Sequence, residues 1–339
     1  MLDGERLEPI PVPSEWLDGT RFKAELHASV VELNTGVCAD VAQARTELAE
    51  LRAEALRRAA RDGLALAASG SWPTAVSEEQ PITQDPAYLS FVEYAGPSAR
   101  RQYVCGLHVH VGVASAEACM HALEGVLPWL PVVLALSANS PYLAGAETGM
   151  ASARAETLGL LPRSGAPPVF ASYEKWEQFA ERLLELGLAD AYTRIWWDVR
   201  PHPRFGTLEV RVPDQPTRLD ATIAIASLIQ ALVASAEGDE PADRGIYAQN
   251  RWAAARFGHA AELIHPEGRR LAGVDELLRE LLERVAPAAD GLGGGAFLGR
   301  LEGLAQADDQ LALGRAQGLR ALCERLVSAT YDGVDGSPH

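Results

Sequence analysis

His108 and His110 stand two apart in Val-Cys-Gly-Leu-His-Val-His-Val-Gly-Val, residues 104–113. On an extended strand such a pair projects from one face, where both rings would meet a single metal ion or substrate. The plainer reading is a pair of core-facing histidines hydrogen-bonded to neighbours. Thr207-Leu208-Glu209-Val210-Arg211-Val212 alternates strictly, which puts Glu209 and Arg211 on one face and the three aliphatic residues on the other. A carboxylate beside a guanidinium suits joint binding of a cation and a phosphate, and is equally an ordinary ion pair on the wet side of a sheet. Asp198 and Arg200, in Trp-Trp-Asp-Val-Arg-Pro, repeat the spacing one strand earlier. Two charged pairs on adjacent strands make a polar sheet face, and histidines on that face are hard to explain as solvation alone.

Three further groups are candidates. Glu25 and Glu32 flank a strand-like run of Leu, Ala and Val, where an unpaired carboxylate is costly to bury. They are seven apart, so a regular strand puts them on opposite faces and only a bulge or bend brings both to one site. Glu25 reads equally as a solvated strand end; Glu32, between Val31 and Leu33, does not. Arg154 and Arg163 fall in a long Gly-, Pro- and Ser-rich segment, and arginine forks suit phosphate or carboxylate, or else remain solvated loop charge. Asn250-Arg251-Trp252 reads as a helix start, and Trp196 and Trp197 as packing.

The elements that must hold these groups follow from periodicity. Residues 24–37 predict a strand entering a turn, and 40–68 a helix ending near Gly70. A strand is expected over 103–113 and a mostly apolar helix over 116–138, interrupted by Pro128 and Pro131. Residues 139–170 read as a long loop, of the kind that carries function in compact domains. A helix over 173–188 precedes two strands, 193–199 and 207–212. From 218 to the end the pattern is helical, with breaks at 238–243 and 291–295. Early strands and late helices predict an α+β fold in one catalytic domain, residues 1–339, with a mainly helical part over 218–330.

Composition narrows the function. The 339 residues are 47% hydrophobic and 22% charged, enough for one large core. A net charge of -16 opposes non-specific binding to nucleic acid or anionic membrane, so an anionic substrate needs local positive charge or metal ions. Four scattered cysteines form no CxxC pair, which fits a reducing cytoplasm. The start lacks the basic and apolar regions of a signal peptide, and no uninterrupted apolar run reaches a membrane-spanning length. Neither a Gly-x-x-x-x-Gly-Lys nor a strand-borne Gly-x-Gly-x-x-Gly is present to cradle phosphates.

Taken in order, these fragments resemble the glutamate–cysteine ligase type 2 family, whose members include carboxylate–amine ligases. Residues 105–113 resemble its histidine strand, and 137–142, 148–154 and 163–168 its substrate loop. Residues 196–201 and 207–212 complete six ordered motifs, and the likeness continues weakly through 250–252 and 255–258. The resemblance implies a glutamine synthetase/glutamate–cysteine ligase-like fold, with a curved antiparallel sheet and helices packed outside it. It implies that ATP phosphorylates a carboxylate and an amine attacks the acyl phosphate. By the same resemblance Glu25, Glu32 and Glu209 are ligands of magnesium, His108 lies beside them and Arg211 faces the γ-phosphate. His110, Arg154, Arg163 and Arg200 are expected to help hold the cofactor ATP. The partners implied are small molecules, glutamate or another carboxylate and an amino acid or amine, and a homo-oligomer is expected by analogy alone.

Two departures stand out. The family's early Gly-x-Glu-Glu-Glu strand would lie ahead of Met1-Leu2-Asp3-Gly4, and an internal methionine taken as the start is the expectation here. Gly70-Ser71-Trp72-Pro73 stands where the family carries Gly-Thr-His-Pro, an indole in place of an imidazole. Two other readings compete. A non-catalytic nucleotide-binding or partner subunit fits the missing carboxylates. A metal-dependent hydrolase fits His-x-His, but His202, His259 and His265 read as turn or helix residues rather than strand ends.

Overall fold

The structure, a computed structural model, describes residues 1–334 apart from 237 and 239. The predicted break over 238–243 therefore lies partly outside the described residues. Strictly alternating sequence builds the element that matters most, a three-stranded antiparallel sheet with Thr207–Val210 in the middle, Val199–His202 on one side and Val109–Gly112 on the other. Its register sets Arg200 opposite Glu209 and Glu209 opposite His110. Val199, Leu208 and Val210 turn the other way, each with no exposed surface, so the period-2 expectation holds on both faces. Between the first two strands Gly206, at φ 64°, supplies the left-handed residue that closes the turn on the carbonyl of His202.

Behind the sheet lies the main core. Helix Leu219–Ala234 is apolar nearly all round, and Ile225, Leu228 and Ile229 are fully buried. It packs with Leu130–Ser137, Arg244–Phe257 and Val274–Gly291 in one hydrophobic cluster that also takes the sheet's aliphatic face. The α+β expectation is met: strands are short and sheets small, and helices cover the sheet's apolar side. Residues Ala116–Ser137 are long and apolar enough by length and composition to cross a membrane, but 83% of that window is buried inside the protein, so it is core. Pro128 and Pro131 interrupt it as expected, through a single 3-10 turn at Leu127–Trp129.

Several boundaries differ. The strand expected over 24–37 is a hairpin, Phe22–Ala24 paired antiparallel with Val31–Leu33. The helix expected over 40–68 spans Val41–Arg61, capped by the Asp40 side chain and stopped at Gly63, φ 68°; Leu64–Ala65 then pairs with Leu2–Asp3. Of residues 103–113 only Val109–Gly112 form a regular strand. Within the part read as helical, Glu262–Ile264 and Leu271–Gly273 form a hairpin whose turn carries Pro266 and Gly268. Asn250 is not at a helix start. It sits inside Arg244–Phe257 and clamps that hairpin, donating from Nδ2 to the carbonyl of Ile264 at 2.6 Å and accepting from its amide at 2.7 Å.

Candidate active site

The polar face of the sheet is organised around Glu209, whose side chain is 2% exposed. Oε2 accepts from Arg200 Nε at 2.6 Å, and Oε1 accepts from Arg211 Nη1. Oε1 also lies 3.8 Å from His108 Nδ1 and 3.8 Å from His110 Nε2. Burial alone would push this carboxyl up; Arg211 and then Arg200 outweigh it and hold Glu209 well below the ordinary carboxylate range. Arg200 is itself anchored, donating from Nη1 to the carbonyls of Thr193, at 2.8 Å, and Ile195. Desolvation and then the Arg211 charge hold the His108 imidazole well below its usual value, although 31% of its side chain stays exposed. Desolvation also lowers His110, whose Nδ1 is 3.0 Å from Thr207 Oγ1.

Arg211 follows Glu209 by two and shares its face, and just beyond Val210 the strand bulges. His110 faces Glu209 and Gly106 faces Asp214, so four residue steps on one strand oppose five on the other. Arg154 holds the extra residue in place. Its Nη2 donates to the carbonyl of Arg211 at 2.9 Å and its Nη1 to that of Val212 at 3.0 Å, in a setting where it is 3% exposed. The guanidinium lies on Gly106, where an added Cβ would come within 2.1 Å of Nη2. Nearby Asp214, fully buried, accepts from Ser140 Oγ at 2.6 Å, Ser152 Oγ at 2.7 Å and the amide of Asn139 at 2.9 Å. One carboxylate thus ties the 139–154 loop to the sheet.

Glu25 and Glu32 meet through the hairpin. Lys23 pairs with Glu32 across it, and Glu25 follows Lys23 by two, so the three share a face despite the odd spacing. Both carboxylates are half-buried. Burial and then the charge of Glu32 push the Glu25 carboxyl up to about 7, while Arg211, with Lys23, pulls it down. That influence of Arg211 links the hairpin to the Glu209 cluster.

Arg163 lies elsewhere. It donates to the carbonyls of Arg194, at 3.2 Å, and Leu188, at 3.3 Å, and lies over the Trp196 ring. Asp198, expected beside Arg200, instead accepts from Arg251 Nε at 2.6 Å and the Tyr247 hydroxyl at 2.7 Å, both on the Arg244–Phe257 helix. Trp72 is core: it is 7% exposed and donates from Nε1 to the carbonyl of Leu7 at 3.1 Å. His202, which reads as a turn residue, ends the Val199–His202 strand on the polar face. Its ring stacks on Phe205 at 4.2 Å and meets His110 edge-on at 4.9 Å. The signal that could have found it is its even spacing from Arg200.

A buried carboxylate between two arginines, with histidines and a carboxylate pair alongside, is a face built for anions and cations together. The fold that carries it is the ligase fold of glutamate–cysteine ligases. The structure of the glutamate–cysteine ligase of Francisella tularensis in complex with AMP aligns at TM-score 0.68 over 99% of this chain and 87% of that one, at 12% identity. The bifunctional glutathione synthetase of Pasteurella multocida aligns at TM-score 0.67 and 15% identity over 98% of this chain, which spans 51% of that longer protein. The chain belongs to glutamate–cysteine ligase family 2, whose profile matches residues 6–323. A Rubrobacter xylanophilus protein named "Putative glutamate--cysteine ligase 2-3" is 42% identical over 92% of this chain and 87% of its own length. A Sorangium cellulosum protein of the same kind is 37% identical over 93% and 87%.

Proposed function

We propose that this chain is an ATP-dependent carboxylate–amine ligase, one catalytic unit that activates a carboxylate such as the γ-carboxylate of glutamate as an acyl phosphate. An amine, that of cysteine or another amino acid, then displaces the phosphate and leaves an amide. The observation that carries this reading is the gathering of Glu209, Arg211 and His108 on one sheet face, with the Glu25–Glu32 pair within the electrostatic reach of Arg211. Phosphoryl transfer asks a protein mainly for positioning and for neutralisation of charge, and this face offers both.

The residues present fit magnesium. Glu25 and Glu32 are half-buried carboxylates that repel one another, neither makes an ion pair among the described residues, and such oxygen donors are what a hard divalent cation prefers. With Glu209 they would hold it, and it would supply positive charge at the phosphate oxygens. Among the described residues Arg211 has one side-chain carboxylate and one imidazole as its partners, so its remaining donors are available to the γ-phosphate. Arg200 keeps Glu209 ionised and aimed. His108, held neutral with Nδ1 3.4 Å from Arg211 Nη1, acts as a hydrogen-bonding or ligand group and not as a proton acceptor.

The test is ADP release with ATP, Mg2+, glutamate and a panel of amines. Amine-dependent ADP formation is expected, and Arg211→Met is expected to lower kcat by about 100-fold, the scale of removing one donor aimed at developing charge. Absence of amine-dependent ADP formation with every carboxylate and amine tried would support a non-catalytic nucleotide-binding chain instead.

A further inference from the structure

The polar face holds a second arrangement, of which the magnesium site above uses only Glu209. One donor atom each from His110, His202 and Glu209 lies within 4.8 Å of the other two. The two imidazoles are prepared in the same way. In each, a hydroxyl occupies one ring nitrogen: Thr207 Oγ1 at His110 Nδ1, 3.0 Å, and Tyr192 OH at His202 Nε2, 3.3 Å. That leaves His110 Nε2, 3.8 Å from Glu209 Oε1, and His202 Nδ1, which is buried and has no hydrogen-bond partner. An orphaned buried nitrogen on a ring that is 7% exposed calls for an explanation, and a hydrogen-bond partner at the far nitrogen, here a hydroxyl, is how a metal-binding histidine is held in place.

We propose that His110, His202 and Glu209 form a site for a borderline divalent transition metal such as zinc, cobalt or manganese, distinct in its donors from the oxygen-rich site offered by Glu25 and Glu32 and sharing only Glu209 with it. Two imidazoles and one carboxylate suit those ions, whereas magnesium prefers oxygen and keeps its water. Electrostatics sharpens the preference. Arg200 and Arg211 together outweigh the charge of Glu209, so a cation here is not drawn in by simple attraction and depends on imidazole donation, which discriminates by metal. Donors about 2.1 Å from a tetrahedral ion lie about 3.4 Å apart. Modest side-chain rotation therefore closes the site. Arg211 Nη1 donates to Oε1, so an ion at that oxygen would release Arg211 toward a phosphate.

The experiment needs neither nucleotide nor substrate, so it can fail independently of the ligase reading. Chelator-stripped protein is titrated with Co2+, Zn2+, Mn2+ and Mg2+ separately, followed by calorimetry and, for Co2+, by its visible absorption. The expected result is one equivalent of Co2+ or Zn2+ bound much more tightly than Mg2+. His202→Gln should weaken Co2+ binding at least about 100-fold, and Tyr192→Phe, which keeps the ligands and the fold, by about 10-fold. Equal Co2+ affinity in wild type, His202→Gln and Tyr192→Phe, or no Co2+ binding by the wild type, would overturn the proposal. If Co2+ binding depends on His202 while ADP release never depends on an amine, the metal site stands and the ligase reading falls.

Discussion

Two carboxylate clusters, both within the electrostatic reach of Arg211, have opposite electrostatics. Glu209 is almost wholly buried yet held well below the ordinary range, because Arg211 and Arg200 bind its two oxygens. Glu25 is less buried yet pushed up to about 7, because Glu32 adds to desolvation while the positive charges within reach, Arg211 and Lys23, fall short. Burial alone does not set the state of a carboxylate; the number and direction of its charged partners does. The first cluster is self-sufficient and orients cations. The second is short of positive charge and gains most from a divalent ion.

The largest expected effect comes from unbalancing the self-sufficient cluster. Arg200→Met leaves Glu209 buried with one oxygen unpaired, and the carbonyls of Thr193 and Ile195 without their donor. Denaturant unfolding should show a loss of about 3–5 kcal/mol, the range for breaking a buried pair. The double variant Arg200→Met/Glu209→Leu should recover much of that stability while abolishing ADP release. A double variant no more stable than the single one would show that Arg200 matters through its carbonyl contacts and not through Glu209.

The two clusters were unequally legible in the sequence. Strict alternation over 207–212 exposes the Glu209 face directly, since the three aliphatic residues have nowhere to go but the core. The Glu25–Glu32 pair is disguised, because the reversal between them runs through Glu-Leu-His-Ala-Ser-Val without a Gly, Pro or Asn to announce a turn. His202 is disguised in the other sense. It lies between Pro201 and Pro203, which reads as punctuation, yet Val199–His202 is an edge strand of its sheet, where a proline is tolerated. Arg154 looks like loop charge because what buries it, the packing of its guanidinium on Gly106 beside a bulge, is tertiary. The α+β class was visible in the order of elements. The Glu262–Gly273 hairpin was not, because two three-residue strands are too short to show a period.

The electropositive deficit at Glu25 predicts a pH dependence of moderate size in the metal-free protein. Its folded value, about 7, lies above the 4.5 of a free glutamate side chain, so between them the folded state retains a proton that the unfolded chain releases. Stability contributed by this group is full below 4.5 and is lost as pH rises toward and through 7. After allowance for solvent screening the loss is about 1 kcal/mol, read as a falling melting temperature between pH 5 and 8. Millimolar Mg2+ at pH 8 should restore it, and Glu32→Gln should flatten both the pH slope and the Mg2+ response. A slope unchanged by Glu32→Gln would remove the repulsion on which the contrast between the clusters rests.

The smallest effect is expected at Arg163, the candidate that the structure places with neither cluster. Its guanidinium is occupied by two main-chain carbonyls and the Trp196 ring, so Arg163→Ala should cost about 1 kcal/mol in stability and leave the KM for ATP and the Mg2+ dependence within about twofold. That outcome confines phosphate recognition to Arg211 and the cations held by carboxylates. A tenfold rise in the KM for ATP would mean that the 163–168 turn contributes a third source of positive charge, and the deficit at Glu25 would then be met by the chain itself as well as by metal.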